Sequence, residues 1–220
     1  MALKRIHLGL AISTALVSAL GFGVETLRYT VGMRLPLVQL LSLSEEANVP
    51  TWYSSMLLLG CAIVLASIAI LVRASGDRMF KQWAVLAGVF AYMSMDETAQ
   101  IHERLNSLHL LSNLRGVFYF GWIIPGSVIV LVVGLAYLPF VFHLPKPTRA
   151  RFIVAGVIYV GGALVMEMPL GSWATKHGED NLGYALIDGV EETMEMVGAS
   201  LFLAALLRHR ESLLTPREAT

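Results

Sequence analysis

Phe90-Ala91-Tyr92-Met93-Ser94-Met95-Asp96-Glu97-Thr98-Ala99-Gln100-Ile101-His102-Glu103-Arg104-Leu105 is the stretch on which the reading of this chain turns. It closes an apolar run long enough to enter a membrane. Yet Asp96 and Glu97 fall before that run stops, and His102 and Glu103 follow directly. One charged side chain at the centre of a bilayer costs roughly 2.5–3.5 kcal/mol on insertion scales, so a cluster of them needs partners. The rest of the chain is read for those partners.

Composition agrees with a membrane setting. Of 220 residues, 56% are hydrophobic and 15% charged, and the mean hydropathy is +0.66. A soluble domain carries about 25% charged residues. The formal net charge is zero, which removes the basic footprint that a nucleic-acid partner requires. The single cysteine, Cys61, lies in an apolar run and reads as a small buried hydrophobe, with no intrachain disulfide available to it.

Six runs reach the length of about 17–25 residues that crosses hydrocarbon. They cover residues 8–26, 53–72, 82–102, 116–142, 152–170 and 184–207, within one integral membrane domain spanning 1–220. The first follows Lys4 and Arg5 and has the outline of a signal peptide, with Val17-Ser18-Ala19 as a cleavage site. Because the run continues through Leu20-Gly21-Phe22, it reads as a span. Residues 29–52 are interrupted by Arg34 and Pro36 and turn polar at Glu45-Glu46-Ala47-Asn48. A short interfacial helix with Leu35, Val38, Leu41 and Leu43 on one side is expected there. Trp52 and Tyr53 open the second span at the aromatic-belt position. Pro125-Gly126 is expected to kink the fourth span. Gly156 and Gly161-Gly162-Ala163 are expected to let another helix approach the fifth. Asn106 to Arg115 and Trp173 to Gly183 read as connecting segments.

Basic residues alternate between the connections. Lys4 and Arg5, then Arg73, Arg78 and Lys81, then Lys146, Arg149 and Arg151, then Arg208 and Arg210 fall on one side. The positive-inside rule then predicts an all-α, multi-pass bundle in a bacterial inner membrane, with both termini cytoplasmic. Membrane lipids are its expected surroundings, and a homo-oligomer or a larger membrane complex is left open.

On that topology the acids share a layer. Glu25, Asp96, Glu97, Glu167, Asp188, Glu191, Glu192 and Glu195 fall within roughly 10–15 Å of depth at the outer side, given a rise of 1.5 Å per residue. Helical spacing groups Tyr92, Asp96, Gln100 and Glu103 in one stripe and Asp188, Glu191, Glu192 and Glu195 in another. His102 falls on a different side of its helix unless the helix bends or unwinds.

Three chemistries satisfy so many acids: salt bridges, protonation or a bound metal. In the structural alternative, Arg104, Arg115 and Gln100 pair with the acids and hold the bundle together. In the metal reading, Asp96, Glu97, His102, Glu103, Glu167, Glu191, Glu192 and Glu195 are the candidate ligands of iron, manganese or zinc, with a two-metal centre included. His102, Asp96 and Glu103 are then the candidate catalytic residues of an oxidative or hydrolytic enzyme. A carboxylate-bridged bundle would normally carry two Glu-x-x-His pairs, and here Glu97 and His102 are five apart. A zinc or calcium site needs fewer histidines. The alternatives are a small proton- or cation-coupled transporter, for which the helix-breaking Pro125 and Pro169 speak, and a non-catalytic subunit of a membrane complex. The chain has no Gly-x-Ser-x-Gly elbow, His-Glu-x-x-His or P-loop.

The spacing Ser94-x-Asp96-Glu97, His102-Glu103, Glu167 and Glu191-Glu192-x-x-Glu195-x-x-Gly198 resembles that of a family of uncharacterised bacterial multi-span membrane proteins. So do Pro50-Thr51-Trp52 and Trp122-x-x-Pro125-Gly126. The resemblance runs from about Glu46 to Gly198 and implies no activity.

Overall fold

Asn48 starts a 26-residue apolar helix and ties down the segment before it. Its side-chain oxygen accepts from the backbone N–H of Thr51 at 3.1 Å, and Pro50 occupies the first turn, where a missing N–H costs nothing. Its amide nitrogen donates to the carbonyls of Gln39, Ser42 and Glu45 at 3.3, 2.7 and 2.5 Å. One side chain thus caps α3 (Val49–Ala74) and closes the loop reaching back to α2 (Pro36–Leu41) and α1 (Ala2–Val31).

This computed structural model describes residues 2–33, 36–106 and 114–215, and the backbone alone of Ala2, Leu37, Glu103 and Leu105. After α3 come α4 (Phe80–Ala99), α5 (Ile101–Asn106), a 3-10 turn (Gly116–Phe118) and α6 (Ile123–His143). α7 (Lys146–Val160) continues through a π-helical segment (Gly161–Met166) into α8 (Glu167–His177), and α9 (Leu182–Leu214) closes the bundle. Among the described residues there is no strand. Leu3–Val31, Val49–Ala74, Ile123–His143 and Lys146–His177 are long and apolar enough to cross a membrane. α4 and α9 have comparable lengths, 20 and 33 residues, but carry the acids that lower their apolarity.

Packing is densest where α3, α4, α7 and α9 meet. Trp83 stands edge-on to Phe140 and Phe152 at 4.9 and 6.0 Å and stacks on His209 at 5.1 Å. Leu65, Ile68 and Leu206 are fully buried beside it. A second layer joins Leu57, Leu58, Met196 and Ala199. Hydroxyl bridges sew the helices together between these layers. Thr14 bonds both Tyr53 and Ser200 at 2.8 Å, and Ser55 bonds the hydroxyl and carbonyl of Ser94 at 3.0 and 2.8 Å. Gly198 makes α7 and α9 touch: a Cβ there would stand 2.7 Å from the backbone nitrogen of Tyr159.

Two sets of contacts mark the ends of the bundle. Arg208 with His7, Arg210 with Ser67 and Thr148 with His209 lie at one end. Tyr29 with Asp180 and Tyr119 with Glu179 lie at the other.

Several local expectations change. Residues 116–122 form the 3-10 turn and a bend, so α6 starts at Ile123 and Pro125 lies in its first turn, which proline tolerates. The proline inside the helix is Pro139. The connection expected from Trp173 is helical as far as His177, leaving residues 178–181 as the link to α9. Of the connector 106–115, residues 107–113, His109 among them, lie outside the described residues, as does Arg34.

Candidate functional site: an acid layer organised by a helix break

The site begins with a break in α4. Gln100 adopts φ 54°, ψ 44°, the left-handed conformation usual for glycine at a helix end, and its N–H returns to the Asp96 carbonyl at 2.7 Å. Such backbone costs on the order of 1–3 kcal/mol in a residue with a Cβ and persists where surrounding structure enforces it. In an unbroken helix, residues six apart point roughly 240° away from each other. Here the break redirects α5, and His102 turns back onto Asp96. The His102 backbone N–H donates to Asp96 Oδ1 at 2.9 Å, and its Nδ1 pairs with Asp96 Oδ2 at 2.9 Å.

From His102 the site passes to α6 and α8. The His102 ring lies 5.0 Å from the Trp122 ring at 60°. The indole N–H of Trp122 donates to Glu167 Oε1 at 2.8 Å, while its backbone N–H is held by Asn106 Oδ1 at 3.0 Å. Glu167 is buried at the point where the π-helical segment returns to α-helix. π-segments inside α-helices recur at functional sites because they rotate the following side chains relative to the preceding ones. Gly162 in this segment sits against α9, where a Cβ would meet the Glu191 carbonyl at 2.9 Å and Glu195 Cγ at 3.0 Å.

On α9 the acids separate into two groups. Glu191 is buried, and its backbone carbonyl faces Gly162 of the π-helical segment. Asp188, Glu192 and Glu195, spaced four and three apart, form the stripe that interacts electrostatically with Glu97 of α4 and with Glu46. Glu195 faces the Tyr159 hydroxyl, while Ser54 lies near Glu97 and Ser44 near Asp188, with both serine hydroxyls buried and outside any hydrogen bond among the described residues. Glu25, fully buried in α1, accepts from the Ser42 hydroxyl and lies 4.0 Å from Arg28, which pairs more closely with Glu45 at 2.8 Å. Among the described residues, ion pairs join Arg28 to Glu25 and Glu45, His102 to Asp96 and His143 to Asp77, and none reaches Glu97, Glu192 or Glu195.

The structure therefore brings Asp96, His102 and Glu167 into one chain of contacts, and Glu97, Glu192 and Glu195 into one electrostatic group. The side chain of Glu103 lies outside the described residues. Gln100 acts through its backbone, and Arg115 is exposed. Among the described residues, no three His, Cys, Asp or Glu side chains converge as a metal ion would need. Sequence reasoning did not single out Tyr159, Ser54, Ser44 or Glu46 as members of this layer. Tyr159 and Ser54 were legible only as residues level with the acids on neighbouring helices. Trp122 stood out in a motif, but nothing in its spacing named Glu167 as its partner.

Outside the spanning helices, Tyr119 donates to Glu179 Oε1 at 2.7 Å, and that carboxylate beside it raises the phenol above its ordinary range.

An all-helical bundle with several helices apolar enough to cross a membrane, and acids held between them, defines the class: a helical protein of membrane type. The chain belongs to the family described as a domain of unknown function, DUF8692, whose profile matches residues 9–210. No curated protein and no solved structure matches it.

Proposed function

We propose that the chain is a six-span protein of a bacterial inner membrane, with both termini cytoplasmic, whose outer acid layer is the centre of a metal-dependent membrane enzyme of oxidative or hydrolytic type. The observation that carries this reading is the pairing of Asp96 with His102 Nδ1 near Glu97, Glu192 and Glu195, to which no ion pair from lysine or arginine reaches among the described residues. A histidine that binds metal through one ring nitrogen almost always gives the other to a carboxylate, a backbone carbonyl or water, which fixes its tautomer and orientation. In this reading His102 is the nitrogen ligand or proton carrier, and Asp96 orients it. Glu97, Glu192 and Glu195 supply oxygens, with Glu167, Glu191 and Glu103 completing the candidate set. The metal would supply Lewis acidity or redox chemistry, and iron, manganese and zinc fit oxygen-rich donors with one imidazole.

The test is elemental analysis of detergent-purified protein beside a D96N/E195Q double variant. Near-stoichiometric iron, manganese or zinc in the wild type, lost in the variant, supports the centre. A metal-free wild type, also after purification with added metal salts, overturns it and leaves the acids as proton carriers.

A further inference from the structure

α1 turns its polar side inward. His7, Leu10, Thr14, Ser18, Gly21 and Glu25 follow the three-four spacing of one helix face. Among the described residues of α1, the buried ones are Thr14, Ser18, Gly21 and Glu25, all on that face and none of them apolar and large. Leu8, Ile12, Leu16, Leu20 and Leu27 are instead 41–61% exposed.

The polar face is only partly satisfied. The Thr14 hydroxyl stands 2.8 Å from those of Tyr53 and Ser200, and Tyr53 stands 2.8 Å from Ser13. Hydroxyls that only hold helices together end in such pairs. Above and below them, the buried atoms Ser18 Oγ, Glu25 Oε2 and His7 Nε2 have no hydrogen-bond partner among the described residues. On α9, which packs along α1, Thr193 Oγ1 is in the same position. It belongs to the stripe Gly189, Thr193, Met196 and Ser200. That stripe faces α1, since Gly189 abuts the Phe22 ring and Ser200 bonds Thr14. Orphaned polar atoms lined up between two polar walls are the setting in which buried water supplies the missing bonds.

The face reaches both ends of the bundle. At one end His7 Nδ1 meets the Arg208 guanidinium at 3.2 Å. At the other, Glu25 accepts from Ser42, lies 4.0 Å from Arg28 and acts electrostatically on Asp188, which opens the acid stripe of α9. Arg28 and Ser44 there line a cavity of about 490 Å³. His7 and Glu25 are separated by about 27 Å at the helical rise, close to the ~30 Å of hydrocarbon. Each hydroxyl or water on the way accepts a proton at its oxygen and releases another, so one proton leaves for each that enters. Leu10 is the one large apolar side chain on the face. It is half-buried, packs into the core between His7 and Thr14, and forms the kind of apolar constriction that stops a file of water.

We infer that the inner face of α1 and the facing stripe of α9 form a hydrated proton path between the acid layer and the His7 end of the bundle, with Glu25 as its proton-exchanging group and Leu10 as its plug. The path stands on the geometry of these two helices. Calling it the proton supply of a metal centre rests on the function proposed above, and elemental analysis of the same sample separates failure of one from failure of the other.

Two measurements test it. In the first, proteoliposomes loaded with the pH dye pyranine are given a potassium diffusion potential through valinomycin. L10S is expected to take up protons several-fold faster than wild type, and L10S/T14V and L10S/E25Q to fall back to the wild-type rate. L10S/T26V, which removes an exposed α1 hydroxyl off this face, is expected to match L10S. The path is overturned by an L10S rate equal to wild type, by an L10S/T14V rate equal to L10S, or by an equal loss in L10S/T26V. In the second, S18C and A15C in the otherwise native chain are treated with silver ions, which bind thiols reached by water, and weighed by mass spectrometry. S18C is expected to take up one silver more than wild type, whose Cys61 is fully buried. A15C, on the exposed side of the same turn and so against lipid, is expected to take up none. An S18C protein that binds no extra silver overturns the path even where the Leu10 variants fail to fold.

Discussion

Asp96 and His102 are joined twice, through Nδ1 to Oδ2 and through the backbone N–H to Oδ1, both at 2.9 Å. The two hydrogen bonds together fix both the position and the tilt of the imidazole. It exists because Gln100 leaves the helical conformation between them. A backbone outlier that serves one side-chain pair is the local signature of a site whose geometry matters.

Replacing Asp96 by Asn tests what that pairing does. The amide oxygen can still accept from the His102 backbone, so the helix break is retained, but the charge that orients the ring is lost. Outer-sphere partners of metal-ligating histidines are worth about 10–100-fold in affinity. D96N is therefore expected to weaken metal binding by that factor in a competition titration, with the fold unchanged by circular dichroism. H102A is expected to lose more. Equal affinity in D96N and wild type would show that Asp96 serves structure alone.

Trp122 makes two contacts that one substitution separates. Phe at this position keeps an aromatic ring beside His102 and removes the indole N–H that reaches Glu167 at 2.8 Å. Taking one partner from a buried acceptor costs about 1–3 kcal/mol. W122F is expected to lower the melting temperature in detergent by several degrees. E167Q, whose amide oxygen still accepts from the indole, is expected to lose less. A W122F protein as stable as wild type would mean that another donor serves Glu167.

The sequence made the acid layer legible, because carboxylates in apolar runs are conspicuous and a rise of 1.5 Å per residue gives their depth. Helix existence was also legible, from the length of each apolar run. The side on which His102 falls was not, since helical periodicity assumes a helix that continues, and nothing in Ala99-Gln100-Ile101 announces a left-handed residue. The Trp122–Glu167 bond was hidden for a different reason. It joins residues 45 apart on helices whose rotation is set by the π-helical segment at Gly161–Met166, which the sequence shows only as small residues. Likewise, Pro125 suggested a kink because the helix was expected to begin seven residues earlier.

Close approach of α7 and α9 sets the distance between Tyr159 and Glu195. At Gly198 an added methyl would stand 2.7–2.8 Å from the backbone of Tyr159, which cannot rotate away. Overpacking of this kind costs about 1–3 kcal/mol. G198A is expected to reduce stability in detergent and to weaken metal retention by moving Tyr159 off Glu195. G156A, whose added methyl meets nothing within 4 Å, is the control and is expected to match the wild type. Unfolding midpoints in a denaturant series check both.

The phenol of Tyr119 gives a pH dependence at the solvent-facing end. Its raised folded value means the native state holds the proton more tightly than the unfolded chain. The stabilisation is therefore complete below the ordinary phenol range near 10 and is lost as pH rises through the higher folded value. The Y119F variant lacks this group. The stability difference between wild type and Y119F is expected to shrink as pH rises above about 10, as read by thermal melts in detergent. A difference that stays constant across that window would show that the bond to Glu179 contributes nothing in solution.

The acid group itself supplies the strictest test, because a bound cation makes stability depend on a chelator and mutual repulsion alone does not. Glu97, Glu192 and Glu195 interact electrostatically with one another, and none forms an ion pair with lysine or arginine among the described residues. If a metal neutralises them, its removal leaves three carboxylates repelling across a partly desolvated layer. A ligand present at a hundred times its dissociation constant stabilises the folded state by about 2.7 kcal/mol. Chelation of the wild type is therefore expected to lower the melting temperature by several degrees, and stoichiometric metal to restore it. In E97Q/E192Q/E195Q both the repulsion and the ligands are gone, so that protein is expected to melt at one temperature with or without chelator. A wild type indifferent to chelator, with a triple variant that is simply more stable, would mean that the three acids carry protons and bind no metal.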